Sequence, residues 1–487
     1  MEDIPKEIVA VVALLQHEGF EAHLVGGCVR DILMHKSPKD WDVTTNAKPE
    51  DIIRIFPKTF YENEYGTVGV VVENAPDASL AVVEVTPYRK EGKYSDKRHP
   101  DSVSFGATLD EDLARRDFTV NAIAYDALSE TLTDPYDGHK DIKEKILRAV
   151  GEPGDRFSED ALRIMRGARL AAELDFDIEP KTSEAMQKRA ETIAQIAAER
   201  VRDEFSKLLM SEHPRKGLEL LYELGLLLHI FPEIEEGVNV KQNQAHAFPV
   251  FEHLVRTLQA SADKNATLPV RLAALFHDVG KPPTRIFDDK KDDWTFHGHD
   301  MVGMRIAVKR LQALRYGNDV IEKVAKLIRW HMFFSDTEQI THSAVRRLIR
   351  NVGPENVEDL LLLRVCDRIG TGRPKEQPYR LRKYKSMIDE VLRDPISVSM
   401  LAVKGEDVMK MLNENPGPRI GYILHTLLED VLDDPTQNTP EYLEKRAKEL
   451  AALPHKELEA LAEKAKETKE GVEAEEIKKI RSKHFVE

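Results

Sequence analysis

Apolar and polar positions follow two different rhythms along this chain. Through about residue 150, short apolar runs predict strands at Glu21–Val25, Trp41–Thr45, Val68–Glu73 and Leu80–Tyr88, alongside an amphipathic helix over Ile4–Gln16. The fourth strand leads into a basic, glycine-containing run, Arg89–Pro100. From Ser158 onward the strand signal fades and helical spacing takes over, through Ala161–Leu174, Thr182–Lys207 and Gly217–Leu228, with Pro, Gly or Asp between them. Residues 250–370 form a further helical block that carries histidines. From about Pro440 the sequence is dense in Lys, Glu and Ala, which predicts a solvated helix or a frayed tail. No repeat of solenoid period is present. The fold class is therefore α+β, an α/β head on an all-helical remainder. The expected divisions are a head over 1–150, a helical neck over 151–240, a histidine-bearing domain over 241–375 and a helical C-terminal tail over 376–487.

Composition narrows the function classes. The 487 residues include 71 Lys+Arg and 86 Asp+Glu, a net charge of -15, with 41% hydrophobic residues. That is the balance of a globular chain with real cores. It argues against indiscriminate coating of nucleic acid, yet leaves room for a local basic groove. The two cysteines, Cys28 and Cys366, exclude a disulfide framework or a cysteine zinc site and point to a reducing, cytoplasmic setting. No apolar run approaches the roughly 18 residues of a membrane span. The acidic start MEDIPKEI carries no signal-peptide pattern. Nothing in the chain calls for an obligate protein partner.

The first chemistry lies in HLVGGCVRDILMHKSPKDWDVTTNA. Gly26 and Gly27 close an apolar strand and open a helical run, so backbone N–H groups there can approach a phosphate closely. Arg30, one turn on, is placed to hold a triphosphate oxygen. Asp40 and Asp42, at i and i+2 on an expected strand, would share one face. Two convergent carboxylates suit Mg²⁺, which also takes oxygens from substrate phosphates. A second run, Arg115-Arg116-Asp117-Phe118-Thr119-Val120-Asn121-Ala122, is expected to open an amphipathic helix. Its arginines suit phosphates, and Asn121, one turn past Asp117, suits a ribose hydroxyl. A third run begins at Ser158, expected as an N-cap with Glu159 and Asp160 in the first turn. Asp160, Arg163 and Arg166 then fall at successive i+3 steps and predict a polar ridge. On that ridge Asp160 accepts from the amino group that C and A share, while Arg163 donates to the neighbouring ring atom.

In this order the elements GGxVRD, DxD, RRDFTxNA and EDxxRxxR resemble the class II tRNA nucleotidyltransferases, the CCA-adding enzymes of the polymerase-β-like superfamily, over about residues 20–235. DPYDGHKD at Asp134–Asp141 is similar to that family's head–neck hinge, and ERVRDEFSK at 199–207 to its last neck motif. The resemblance implies a polymerase-β-like head, with Asp40 and Asp42 as metal ligands and Gly27, Arg30 and Arg116 as triphosphate and ribose contacts. It implies Asp160 and Arg163 as the base-reading pair, Arg166 and Arg169 as further nucleotide contacts, and Glu84 as a third carboxylate. Members that add only two cytidines tend to lack the loop present here as RKEGKYSDKRHPDSV. The region YENEYGTVGVVVENA lacks the paired arginines expected of related poly(A) polymerases. Complete CCA addition and addition of the terminal A alone both remain open.

The histidine block supplies a second candidate centre. His253 follows Pro249 on a helix, His277-Asp278 closes the apolar run LAALFHD, and Asp367 lies in LLLLRVCDRIG with Leu360 and Leu363 on its face. A carboxylate on an apolar face is costly unless paired or metal-bound. The order H…HD…D is similar to the HD phosphohydrolase domain, with His299 and His331 as candidates for a second ion. Mixed N/O ligands suit Mn²⁺, Fe²⁺, Ni²⁺ or Mg²⁺ without choosing among them. The chemistry implied is metal-activated water attacking a phosphoester at an RNA end. The expected function is therefore template-independent building or repair of the tRNA 3′-CCA end from CTP and ATP, with an HD-type hydrolase attached. A hydrolase with a vestigial head is the rival. Expected RNA-contacting patches are Arg89–Arg98, Arg346-Arg347-Arg350 and Arg380–Lys385.

Overall fold

The computed structural model describes residues 4–61, 66–73, 75–91, 103–244, 246–333, 340–372 and 378–467. The chain divides into two compact units, residues 1–235 with 313–315, and residues 236–312 with 316–487. No helix among the described residues is long and apolar enough to cross a membrane.

The first unit holds a seven-stranded sheet made of β1 (Ala22–Val25), β2 (Asp42–Thr45), β3 (Thr59–Tyr61), β4 (Val68–Val71), β5 (Val82–Pro87), β8 (Ala124–Asp126) and β9 (Thr131–Thr133). The basic run after β5 forms β6 (Arg89–Glu91), which pairs with β7 (Val103–Phe105) as a separate two-stranded sheet. Residues 92–102, most of the expected basic loop, lie outside the described residues. Strand order is β3-β4-β5-β2-β1-β8-β9, and β2 runs parallel to β5 while its other neighbour, β1, is antiparallel. Val43, Val83, Val85 and Leu24 are fully buried, as alternation across a covered sheet requires.

Three expectations change here. Asp40 is not on a strand: β2 begins at Asp42, and Asp40 lies in the bend before it. Buried Trp41 still accepts the backbone N–H of Glu84 at 3.0 Å, so the bend stays pinned to the sheet. Arg115-Arg116-Asp117 do not open an amphipathic helix. They follow the short helix Leu109–Ala114 and lead into a 3-10 turn, Thr119–Asn121. Phe118, Val120, Ala122 and Ile123 are all buried there, which leaves no polar face for a surface helix. Ser158 is not an N-cap either. A helix over Pro153–Glu159 ends at Asp160 in extended backbone (φ -139°, ψ 109°), and a second runs over Leu162–Leu174. Asp160 caps that break by accepting the N–H of Leu162 at 2.9 Å, so it stands outside the helix that carries Arg163 and Arg166.

The neck is otherwise helical, with one small parallel pair, β10 (Ile146–Leu147) and β11 (Asp177–Ile178). The expected helix Thr182–Lys207 is three pieces, Pro180–Lys188, the 3-10 turn Ala190–Gln195 and Ala198–Met210. Gly217–Leu228 is likewise divided, at Gly225 with φ +73°.

In the second unit, helices Val250–Asp263, Leu268–Phe276, Asn318–Trp330 and Val357–Gly370 pack around the histidine cluster. Gly370 lets two of them meet closely: a Cβ there would lie 2.1 Å from Thr257 Oγ1 and 3.1 Å from the His253 carbonyl oxygen. That contact draws the helix bearing Asp367 onto the one bearing His253. Between the HD pair and His299 stands a hairpin, β12 (Ile286–Asp288) and β13 (Asp293–Thr295).

The C-terminal region packs rather than frays as far as it is described. Leu443, Ala447, Leu450, Leu458 and Ala462 are buried, and the helices Pro440–Ala451 and His455–Glu467 rest on Pro418–Asp433. Alanine and leucine recur at helical spacing among the charges and make a narrow apolar stripe. The expected patch Arg346-Arg347-Arg350 is internal chemistry too. Arg346 pairs with Asp394 at 2.7 Å, and both Arg347 and Arg350 pair with Glu429. By contrast Arg380, Arg382, Lys383 and Lys385 are exposed.

Candidate functional sites

The head site assembles from three chain segments. Gly26 has φ +81°, a left-handed conformation that costs glycine nothing. A Cβ at Gly26 would sit 3.2 Å from Arg116 Nη1 and 3.3 Å from an Asp42 carboxylate oxygen, so the glycine places backbone against both. Arg30, on the helix Gly27–Leu33, donates to Asn121 Oδ1 at 2.8 Å and to Asp31 at 2.7 Å. Asn121 in turn donates weakly to Asp117 at 3.4 Å. The GG and RRDFTVNA segments are thus joined through side chains.

Glu84 completes the acidic cluster. The parallel register sets it directly beside Asp42, which places both carboxylates on the same face of the sheet. Burial, with Glu84 and Asp40 adding repulsion against the pull of Arg116, pushes the Asp42 carboxyl up to about 7. Asp42, Glu84, Thr67, Arg89, Arg115 and Arg116 line a cleft with about 530 Å³ of free space. Arg116 Nε is buried there without a hydrogen-bond partner among the described residues. Carboxylates crowded enough to hold a proton near neutrality, facing a guanidinium whose Nε is unpaired among the described residues, fit a divalent cation with a polyphosphate. Arg115 and Arg116 are themselves oriented by buried Asp112, at 2.6 and 3.4 Å. Asp112 and Thr67 were not singled out by sequence, and Arg89 was expected in an RNA-contacting patch rather than here; Asp112 sits one turn before Arg116, which was the available signal.

The neck residues form a lattice of ion pairs. Asp160 meets Arg200 at 2.7 Å, Arg163 meets Glu159 at 2.7 Å, and Arg166 meets Asp117 at 2.7 Å. Arg163 also donates to the carbonyl of Arg115 at 3.2 Å, which ties the neck to the head's arginine pair. Arg166 and Asp117 hold each other's charge: burial opposes the Asp117 anion, but Arg166 and Arg163 draw its carboxyl down to about 2. Arg169 is committed to Glu204 and Glu173, at 2.6 and 2.5 Å, and Glu204 also lies 3.9 Å from Arg166. Arg200 was not picked from sequence, although it lies inside the ERVRDE run.

In the second unit His253, His277, Asp278 and Asp367 converge as expected. His253 Nε2 lies 2.9 Å from His277 Nε2, 3.1 Å from Asp278 and 3.3 Å from Asp367. His299 and His331 approach the other Asp278 oxygen at 3.3 and 3.6 Å. Three of these histidines are set the same way. His277, His299 and His331 each use Nδ1 on a backbone carbonyl three residues earlier, at 2.9, 2.7 and 2.7 Å. That fixes Nδ1 as the protonated nitrogen and turns an Nε2 lone pair into the cluster. Nε2 of His299 and of His331 and Oδ1 of Asp278 are buried with no hydrogen-bond partner among the described residues. Three ligand groups result, of which His253–His277–Asp367 and Asp278–His299–His331 are wholly buried. Orphaned, converging lone pairs of this kind fit metal ions. Burial disfavours a charged His277, yet Asp278 and Asp367 raise its imidazole to about 10, so an ion would take the place of a proton on its Nε2. Sequence reasoning missed Lys281, whose Nζ lies 2.6 Å from Asp278 and 2.6 Å from Gln242 Oε1.

The fold and the two sites define a nucleotidyltransferase head joined, through helices, to an HD-type unit. Family profiles agree: residues 22–148 match the poly A polymerase head domain, 175–237 the probable RNA and SrmB-binding site of polymerase A, and 250–372 the HD domain. The CCA-adding enzyme of Geobacillus sp. (strain WCH70) is 32% identical over 432 residues, 88% of this chain and 93% of the relative. That of Lactococcus lactis subsp. lactis (strain IL1403) is 45% identical over 241 residues, 49% of this chain and 59% of the relative. Among solved structures, the Bacillus stearothermophilus CCA-adding enzyme in complex with CTP superposes with a TM-score of 0.70 at 28% identity, over 93% of this chain and 98% of that one. The chain belongs to the CCA-adding enzyme family, the tRNA nucleotidyltransferases.

A cheap test of the glycine's role follows. Gly26→Ala should cost some stability, because φ +81° disfavours any side chain, and should lower nucleotide incorporation by about 100-fold, mainly in kcat, as the strained turn and the added Cβ shift Arg116 and Asp42. Steady-state incorporation with CTP checks it.

Proposed function

We propose that this protein adds or repairs the complete CCA end of tRNA, using CTP and ATP, in the cytoplasm. The observation that carries the reading is the Asp42–Glu84 pair, with Asp40 nearby, facing Arg115, Arg116 and Arg89 across one cleft. In the proposed step the tRNA 3′-hydroxyl attacks the α-phosphate in line and pyrophosphate leaves. Mg²⁺, held by Asp40, Asp42 and Glu84 when bound, would activate that hydroxyl and stabilise charge on the phosphates. The backbone at Gly26 and Gly27 gives the triphosphate close access, while Arg30 and Arg116 take its oxygens. Asn121, tied to Arg30, is the proposed ribose contact.

Asp160 and Arg163 are the proposed base readers, held by Arg200 and Glu159. Asp160→Ala should admit UTP and GTP, narrowing discrimination by about 10- to 100-fold per lost base contact. Unchanged preference in a four-nucleotide competition would remove Asp160 from base selection. Arg166 supports the lattice through Asp117. Arg169, with both carboxylate partners in place, is proposed to brace the neck.

Transcripts of tRNA ending before CCA, after C and after CC, each given CTP, ATP or both, test the main reading at single-nucleotide resolution. All three should reach CCA. Extension of only the third, by one A, would make the protein an A-adding member. No extension would put the hydrolase first.

A second activity is favoured by the buried His/Asp cluster. We propose that His253, His277, Asp278 and Asp367 hold one divalent ion, and that His299 and His331 share Asp278 with a second. Such ions supply an activated water for hydrolysis of a phosphoester. Lys281, beside Asp278, places a positive charge where a phosphate would enter.

A further inference from the structure

Outside both sites, the hairpin β12–β13 carries an ordered group of rings with no role assigned so far. Arg285 lies over the Trp294 ring at 3.4 Å from its centroid, and Phe287 meets the same ring edge-on, with centroids 5.1 Å apart. Phe287 and Trp294 are cross-strand partners, so they project from one face of the ribbon, and Arg285 sits two residues before Phe287 on that face. Phe287 nevertheless leaves 42% of its surface exposed. Arg285 Nε has no hydrogen-bond partner among the described residues.

The hairpin is continuous with the histidine–aspartate cluster at both ends. It begins five residues after Lys281. At its far end Phe296 follows Thr295; its carbonyl accepts from His299 Nδ1 at 2.7 Å, and its ring lies 5.5 Å from Lys281 Nζ. The segment carrying Gln242 and His246 is tied to it as well, through the Gln244 N–H on Asp293 at 3.1 Å. An exposed aromatic ring, braced by a second ring and a guanidinium beside a phosphoester-cleaving centre, has the chemistry that holds an unpaired base by stacking. A duplex end keeps its bases stacked on each other and would gain nothing from it.

We propose that the β12–β13 hairpin is a base-stacking platform, with Phe287 as its contact surface. It would hold the unpaired 3′ end of an RNA whose terminal or cyclic phosphate enters the cluster. This substrate class rests on the phosphohydrolase reading above, so the test separates the two. Full-length protein loaded with Mn²⁺ is given either a short single-stranded oligoribonucleotide ending in a 2′,3′-cyclic phosphate or bis(p-nitrophenyl) phosphate. Phe287→Ala and Phe287→Leu should raise KM for the oligonucleotide about tenfold, and Phe287→Tyr should restore it. The small diester, which offers no base, and CCA addition should be unaffected by all three. Because Phe287 is exposed, these variants should fold as the parent does. A Phe287→Leu variant equal to the parent, or an equal change with the small diester, overturns the platform.

Wild-type protein that cleaves neither substrate defeats the phosphohydrolase reading instead. The platform is then decided by binding. The oligonucleotide should quench tryptophan fluorescence in the parent, with the quench lost in Trp294→Phe and weakened about tenfold in Phe287→Ala. Absence of any quench overturns it.

Discussion

Asp42→Asn should abolish CMP and AMP incorporation, by at least about 10³-fold, while making the head more stable when no divalent cation is present. Both effects have one cause. Burial and the neighbouring Glu84 and Asp40 hold the Asp42 carboxyl near 7, against an ordinary value of 3.8. Between those values the folded head binds a proton that the unfolded chain has lost, so stability falls as pH rises through that window. Above pH 7 the full cost is present, on the order of a few kcal/mol before screening. Asparagine keeps the shape and removes the charge. At pH 8 in chelator the variant should melt about 5 °C above the parent, and the gap should close as pH is lowered towards 4. Added Mg²⁺ should raise the parent's Tm and leave the variant's unchanged. A variant that melts lower at pH 8 would mean Asp42 is held by favourable contacts, not strained by its neighbours.

The corresponding substitution in the second unit, Asp278→Asn, should remove the proposed metal binding and phosphohydrolase activity while CCA addition continues at the parental rate. Among the described residues Asp278 is the one that meets His253, His277, His299, His331 and Lys281 together, whereas Asp367 meets only the first two of these. Metal analysis of the dialysed protein should fall from about one or two ions per chain to none. Removing the anion also leaves buried Lys281 without its carboxylate partner and His277 with Asp367 alone, and breaking a buried pair costs about 3–5 kcal/mol. The second unit should therefore melt earlier, in a transition separate from that of the head. Loss of CCA addition together with hydrolysis would show that the two activities are not independent.

The clustering of candidate residues was partly legible in the sequence, because motif spacing reports who meets whom. The H…HD…D order named side chains that the structure brings together, whereas Asp40 and Asp42 do not share a strand and the glycine pair contributes backbone alone. Local geometry was less legible. Asp160 looked like a first-turn helical residue, since Ser-Glu-Asp before an apolar run is what a helix start resembles, but buried Phe157 belongs to a preceding helix that ends there. RRDFTVNA looked amphipathic on its arginines, and burial of Phe118, Val120 and Ile123 overrode that pattern. Pairings distant in sequence were not legible: Arg200 on Asp160 and Gln242 on Lys281 span 40 and 39 residues, although Arg200 itself lies in a recognised motif. The lysine-rich C-terminal stretch misled for a simpler reason. Charge density hid a narrow stripe of leucine and alanine that is enough to dock a helix.

The way His277, His299 and His331 are anchored bears on how the protein meets its environment. Each ring is oriented by a carbonyl three residues earlier on its own chain segment, so local backbone sets the direction of its Nε2. Rings anchored in this way keep the same donors aimed at the cluster whichever divalent ion they are offered. A rigid cage of nitrogen and carboxylate donors ranks divalent ions by their general affinity order and by how much of each is on hand. The metal recovered with the protein should then track the growth medium, so that preparations from manganese-rich and nickel-rich cultures carry different ions in the same unmoved side chains.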